Sequence, residues 1–432
     1  MFNFLRSQFD QFKKGGIRVL INKVVKLIRV ILFNSLSLIY LPVSFFLFLI
    51  SKLVIIRFSE IPSNRIGHFA LEVDLYITSR KLQKKTTFDI FCLLQDDNFV
   101  SNYKLLYEFK KQILILPRIL IIPLILNAKY YKIFSYQTFP LTINKDRDVT
   151  NLIDKTPVNL ILSNDDIKIG EEFLNKISNK SKNIKFVIII IRDNSYLDNY
   201  YNSFNKMNSK DWSYHSFRDG NIDDYVPGCE ELTKLGYYVF RMGQIVSKKM
   251  NTKNPMIIDY ANNGMRTELL DIFLASKCEF CISSSTGFDA VPMIFRKPVI
   301  ICNYAPVGFI PSYSKKFLIT IRHHYSKKLN KILNLKEIFD EELAKIEKTE
   351  GFINKDIVLQ DNTSVELKDA ILEMEKFVRN KEYENQNSNI LNNKFWKVYS
   401  SMIKKHNLSY LHGNLLARLP VKFLEKNKNL IF

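Results

Sequence analysis

Residues 277–308, KCEFCISSSTGFDAVPMIFRKPVIICNYAPVG, read as strand, polar turn, short helix, second strand and loop. Glu279 to Ile282 is a short β-compatible run, and Ser283, Ser284, Ser285, Thr286 and Gly287 form the turn. Phe288 to Phe295 carries apolar residues at helical spacing (Phe288, Val291, Ile294, Phe295), and Pro298 opens the apolar strand Val299 to Cys302. Hydroxyls and a glycine at a helix N-terminus suit an anion, because free N–H groups and the positive end of the helix dipole point at it. The expectation is a bound phosphate group; the plainer alternative is that Ser285 or Thr286 only caps a helix.

The same rhythm extends on both sides. Upstream, IKFVIIII (184–191) is a near-continuous apolar strand of the kind found in parallel sheets covered on both faces, and Arg192, Asp193 and Asn194 follow it at once. GYYVF from Gly236 is the next strand, followed by Arg241 and Gln244; Met256 to Tyr260 is a short strand and Thr267 to Ala275 a helix. Downstream, Ile319 to His324 is a strand ending in His323 and His324. Strands alternating with helices predict a doubly wound α/β fold, in which ligands bind beyond the C-terminal strand ends. Arginines beside a hydroxyl-rich turn there fit the diphosphate of a nucleotide-sugar.

An earlier α/β unit begins at the strand Leu53 to Phe58. It continues through the turn around Gly67, a helix from His68 or Phe69, the strand Thr87 to Leu94, a loop at Asp96 to Asn98 and a helix from Asn102 to Lys111. His68, Glu72 and Asp74 lie at its first βα turn, where His68 or Asp74 would act as the acid/base group. Ile113 to Ile125 is very apolar, is broken by Pro117 and Pro123, and offers a second membrane-facing surface. Ile167 to Ile177 is a helix. The tail from about residue 346 is mostly helical, with Asn362, Thr363, Ser364 and Glu366 beginning a helix in the manner of a capping box. The expected division is 1–52 membrane-associating, 53–178 N-terminal (acceptor) domain, 179–345 C-terminal (donor) domain and 346–432 a helical tail packing back on both.

The chain has 432 residues and a formal charge of +20, so its partners should be acidic. The basic residues are scattered, without the Arg-rich blocks of a nucleic-acid binder, and no nucleic-acid partner is expected. Part of the charge precedes Val30 to Ile50, VILFNSLSLIYLPVSFFLFLI, which is uncharged and contains Pro42. About 20 apolar residues are long enough to span a bilayer. A full span, a bent hairpin in the interface and a buried core helix all fit. A span with positive charge inside would carry the main domain away from cytoplasmic nucleotide-sugars, which favours a monotopic or re-entrant anchor. No small-residue cleavage site marks a signal peptide.

Several chemistries are excluded. There is no Walker A motif, no G-x-G-x-x-G and no G-x-S-x-G elbow. Cys278 and Cys281 form a C-x-x-C without a second pair, on a predicted strand that turns them to opposite faces. No D-x-D stands ready for a metal, so no metal site and no cofactor are expected, and a leaving diphosphate would be stabilised by arginines and the helix dipole.

Taken together, NRIGHFALEVDLYI, IRDNSY, YHSFRDGNIDDYVPGCEELTKLGYYVFRMG, the segment from Thr267 to Gly308 and FLEKN resemble a family of bacterial glycosyltransferases found with surface-polysaccharide genes. The resemblance covers most of 60–430. It implies a GT-B-like fold, two Rossmann-like domains facing a cleft, with the donor held mainly by the C-terminal one. By similarity, Arg192, Arg241, Ser283 to Gly287 and the HSFRD segment (His215 and Arg218) line the donor side, with Asn194 beside them. Where the family commonly has a TDSG-like turn, this chain has SSSTG, with Ser285 in place of the acid. The expectation is a metal-independent enzyme at the cytoplasmic face of the bacterial inner membrane. It would transfer a sugar from a nucleotide-sugar to a lipid-linked or growing surface glycan. The alternative from another class is a non-catalytic sugar- or polysaccharide-binding assembly protein on the same scaffold.

Overall fold

The computed structural model describes residues 2–82, 87–95, 99–141, 147–178, 184–196, 213–380 and 386–431. The chain divides into two compact units. One comprises Met1–Arg65, Ser79–Thr142 and Tyr196–Asp211; the other comprises Ile66–Thr78, Ile143–Ser195 and Trp212–Phe432.

The first unit opens with helices α1 (Phe2–Ile39) and α2 (Leu41–Ile50). Pro42 stands in the first turn of α2, where its missing N–H costs no intrahelical bond, and the chain bends by 50° at the break. Strands β1 (Ile55–Ile61), β2 (Thr87–Leu93) and β3 (Leu114–Ile115) form a parallel sheet in that order. Helix α3 (Ile66–Leu82) follows β1, and α4 (Tyr103–Lys110) follows β2. Asn102 caps α4 by accepting from the Leu105 N–H at 2.8 Å. The apolar stretch from Ile113 is β3 and then α5 (Arg118–Tyr130), which starts after Pro117 and retains Pro123 inside it. Ile121, Ile122 and Leu124 of α5 pack with Phe58, Cys92, Phe33, Tyr40 and Leu47. The loop expected at Asp96 to Asn98 lies outside the described residues.

In the second unit, β4 (Lys185–Ile190), β5 (Tyr237–Arg241), β6 (Ile257–Ile258), β7 (Cys281–Ser283), β8 (Val299–Tyr304) and β9 (Phe317–Ile321) make one fully parallel sheet. The order is β6-β5-β4-β7-β8-β9. Counted within this unit it is 3-2-1-4-5-6, the doubly wound order of a Rossmann sheet, with its switch point between β4 and β7. Val187 and Ile189 of β4 are fully buried and pack with Ile282, Ile300 and Leu318. Each such aliphatic side chain contributes roughly 1.5–3 kcal/mol on burial. The tail shares this core through Leu367, Ala370, Ile371 and Met374 of the helix Ser364–Arg379. Thr363 and Glu366 cap that helix reciprocally, as their spacing predicts.

Two expectations change. Residues 66–78 and 143–178 belong with the sheet unit rather than with a 53–178 domain. A buried ion pair between Arg296 and Asp74, with Arg296 also bonded to Thr156 and Pro157, ties these segments to it. The helix expected from Phe288 to Phe295 is a 3-10 turn at Gly287–Asp289 followed by the short helix Ala290–Ile294. Pro292 has no N–H to donate, so the α-helix fits only when proline falls in its first turn, and a start at Ala290 places it there.

Candidate functional site

The C-terminal ends of β4 and β7 flank the switch point, and each continues into polar loop. After β4, the Arg192 N–H donates to Ser284 Oγ at 2.8 Å and the Gly220 N–H returns to the Arg192 carbonyl at 3.0 Å. After β7, Ser285 sits at φ 62°, a left-handed conformation uncommon for serine. Arg218 holds it there, with Nη2 donating to the Ser285 carbonyl at 2.7 Å and lying 3.3 Å from its Oγ. The backbone of Arg192 and the side chain of Arg218 therefore both meet the hydroxyl turn.

A third arginine supports them. Arg322, directly after β9, donates to the carbonyls of Phe217 and Asp219 and pairs with Asp361 at 3.0 Å, which fixes the loop that carries Arg218. Arg192 Nε lies 3.4 Å from Asp219 Oδ1. Burial, and then the neighbouring Arg218 charge, bring the Arg192 guanidinium down to about 10. Burial also pushes the Asp219 carboxyl up to about 6, against the pull of Arg192 and Arg322. Arg192 is thus the guanidinium beside this carboxylate, while Arg322 meets the Asp219 backbone carbonyl. Arg218 Nε, Asn194 Oδ1 and Thr286 Oγ1 are buried there without a hydrogen-bond partner among the described residues. Of these, Arg218 Nε and the Thr286 hydroxyl can donate to an anion with acceptor oxygens, whereas Asn194 Oδ1 can only accept, as from a hydroxyl.

The turn itself is wired differently from the expected N–H cradle. The Ser285 and Thr286 N–H groups donate to Ser283 Oγ at 3.0 and 3.3 Å, and Ser283 Oγ donates to Asp289 Oδ2 at 3.0 Å. The Thr286 and Ala290 N–H groups also face the Asp289 carboxylate. Burial pushes that carboxyl up to about 7, although these hydrogen bonds favour its ionised form. Ser283 and Asp289 thus take the N–H groups of Ser285, Thr286 and Ala290, with no side-chain cap on either the Gly287–Asp289 turn or the Ala290–Ile294 helix. The positive charge beside the turn is that of the Arg218 side chain, with Arg192 next to it.

Helix α3 begins against the same turn. A Cβ on Gly67 would stand 2.9 Å from the Gly287 carbonyl oxygen and 3.0 Å from its Cα, so only glycine allows this backbone approach. The next residue, His68, is about one-third exposed, and its Nδ1 is 2.7 Å from Oε1 of the buried Glu72. A carboxylate on Nδ1 fixes the tautomer with the proton on that nitrogen, which leaves Nε2 as a proton acceptor.

The other expected site residues separate into groups. Asp74 is fully buried, with its carboxylate 2.7 Å from Arg296 Nη1 and 2.8 Å from Asn159 Nδ2, so it closes a structural ion pair and is not placed as a catalytic base. Arg241 is also buried; its guanidinium is 3.1 Å from both Asp259 Oδ1 and the Lys248 carbonyl, bracing its own loop instead of the hydroxyl turn. Asp193 accepts from the Ser195 and Ser247 N–H groups. The backbone of His215 lies in the 3-10 turn Ser213–Arg218, and its side chain is outside the described residues. Asp219 closes the HSFRD segment expected on the donor side, whereas the roles of Arg322 and Asp289 were not expected. A signal for Arg322 exists: it ends an apolar strand directly, as Arg192 nearly does and Arg241 does.

All five cysteines are buried and free. Among the described residues no group of three or more His, Cys, Asp or Glu side chains is placed to hold a metal ion.

No protein-family model and no curated protein matches the chain. Solved structures do. The chain is similar to the ADP-heptose LPS heptosyltransferase II of E. coli, at 12% identity and a TM-score of 0.36, over 62% of this chain and 90% of that one. It is similar to a family 9 glycosyl transferase from Veillonella parvula at 10% identity and a TM-score of 0.42, over 74% and 96% of the two chains. A third is the iron-containing dodecameric glycosyltransferase TibC of enterotoxigenic E. coli, at 13% identity and a TM-score of 0.32, over 59% of each chain. All three are bacterial glycosyltransferases.

Proposed function

We propose that the protein is a glycosyltransferase of GT-B-like organisation that binds the diphosphate of a nucleotide-sugar at the β4/β7 switch point. The observation that carries this reading is the Arg218 guanidinium on the Ser285 carbonyl, with the Arg192 backbone N–H on Ser284 Oγ and the Arg192 guanidinium near enough to Arg218 to feel its charge, beside the buried Arg218 Nε and Thr286 Oγ1 that have no hydrogen-bond partner among the described residues. Two guanidinium groups match a diphosphate in charge and fork geometry, and their charge would stabilise a leaving nucleoside diphosphate without a metal ion. His68, oriented by Glu72 and set beside Gly287 through Gly67, is the general base, taking the proton of an acceptor hydroxyl on Nε2. The acceptor is a lipid-linked or growing surface glycan met at the cytoplasmic face of an anionic membrane.

The test is a panel of nucleotide-sugars screened for a rise in melting temperature, followed by transfer or donor hydrolysis with whichever stabilises. Stabilisation by one nucleotide series and turnover of its sugar conjugate are expected. Stabilisation without any turnover would favour the non-catalytic binding protein on the same scaffold.

A further inference from the structure

The apolar run Val30 to Ile50 is not one helix but the bent pair α1–α2, and no single helix among the described residues is long and apolar enough to cross a membrane. The two sides of this pair differ. Of the run's polar side chains Ser35 is exposed, while the others turn toward its own unit: Asn127 Nδ2 of α5 donates to the fully buried Ser44 Oγ at 3.0 Å, and Gln137 Nε2 donates to the Ser44 carbonyl at 3.1 Å. The Tyr130 hydroxyl donates to Asn34 Oδ1 at 3.0 Å, and Ser37 Oγ donates to the Asn34 carbonyl. The opposite side is apolar and exposed through Val30, Ile31, Leu38 and Ile39 of α1 and Phe45, Phe46 and Leu49 of α2. Ile119 and Leu120 of α5 and Ile133 are exposed in the same unit.

The charge pattern of these segments is one-signed. No acidic residue occurs between Asp10 and Glu60 or between Glu108 and Asp146. Lys26, Arg29, Lys52, Lys129 and Lys132 are exposed there. Exposed apolar surface bordered only by cations complements a phospholipid leaflet with anionic headgroups. A transmembrane span does not fit the other side of the bend. There α2 packs on α5, β1 and the 3-10 turn Lys132–Gln137, with Phe48 set edge-on to Phe134, and two of the exposed lysines belong to these covering elements. A span needs lipid-compatible surface all round, and this pair has it on one side.

We infer that α1, α2 and α5 form a one-sided wedge that enters a single leaflet of an anionic bilayer and does not cross it. This rests on the membrane side of the proposed function and not on the donor site, so each can fail without the other. The test is flotation of the full chain with phosphatidylcholine vesicles and with vesicles containing one-quarter phosphatidylglycerol. Two variants are compared, Phe45→Asp/Phe46→Asp and Lys26→Glu/Arg29→Glu; all four side chains are largely exposed, so melting temperature and nucleoside diphosphate binding should match wild type. Strong flotation with anionic vesicles is expected, at least tenfold weaker in either variant, and a protease added outside sealed vesicles should remove an N-terminal tag from bound protein. Protection of that tag would establish a span and overturn the inference. So would variants that float like wild type, or a dimer broken by Phe45→Asp/Phe46→Asp with flotation unchanged, since the face would then be a contact between copies.

Discussion

Replacing Asp74 with alanine should damage the fold of the second unit and leave the chemistry of the folded fraction intact. The carboxylate is fully buried and neutralises Arg296, whose side chain is 6% exposed. Arg296 also donates to the carbonyls of Ile294, Thr156 and Pro157, so the guanidinium is held in place when its partner is removed. Breaking a buried pair from one side costs about 3–5 kcal/mol, because the remaining charge stays buried and uncompensated. At about 2–4 °C per kcal/mol for a large domain, the melting temperature should fall by roughly 6–20 °C. Thermal and urea unfolding of the full chain measure this, with donor affinity and turnover taken well below the midpoint and corrected for the folded fraction. The double change Asp74→Ala/Arg296→Met should recover most of the loss, since it removes both charges together. Wild-type stability in Asp74→Ala together with a turnover loss of a hundredfold or more would refute the reasoning and return Asp74 to the chemistry.

Three further outcomes follow from the site. His68→Ala should lower turnover by roughly 10²–10⁴-fold, the usual range for a general base, with nucleoside diphosphate affinity within about twofold of wild type; unchanged turnover would remove His68 from the reaction. Asp289 has its folded-state pKa raised to about 7, so the folded protein binds its proton more tightly than the unfolded chain does. Its stabilising contribution is therefore complete below about pH 4 and is lost as pH rises to about 7. Asp289→Asn should flatten the stability profile across that window and be relatively more stable at pH 8; a parallel profile would contradict this. Gly67→Ala drives a Cβ into the Gly287 backbone, where no flexible side chain can yield, and should cost roughly 1–3 kcal/mol while reducing turnover; a neutral variant would show that the two backbones can part without consequence.

What the sequence made legible was local. The run 184–191 announced a central parallel strand, Thr363 and Glu366 announced a helix start, and Pro42 announced a break in the long apolar run; each depends on residues within a few positions of one another. The errors came from distance or from competition. Asp74 looked available because its partner Arg296 lies 222 positions away. Arg241 looked like a ligand arginine because it ends a strand, but Asp259, eighteen positions on, claims it first. In the SSSTG turn the N–H groups of Ser285 and Thr286 go to Ser283, two and three residues back, a competition within the turn that the hydroxyl count alone does not reveal. Arg322 fixes the loop of Arg218 across more than a hundred positions, a pairing that periodicity does not encode.

Donor binding by Arg192 and Arg218 at the switch point is tested most directly by calorimetric titration with ADP, UDP, GDP and CDP. Wild-type protein should bind at least one of these, and Arg192→Ala and Arg218→Ala should each weaken that affinity by about 10–150-fold, the equivalent of one charge-assisted hydrogen bond of about 1.5–3 kcal/mol. Failure to bind any of the four, or the same affinity in both variants as in wild type, would contradict it.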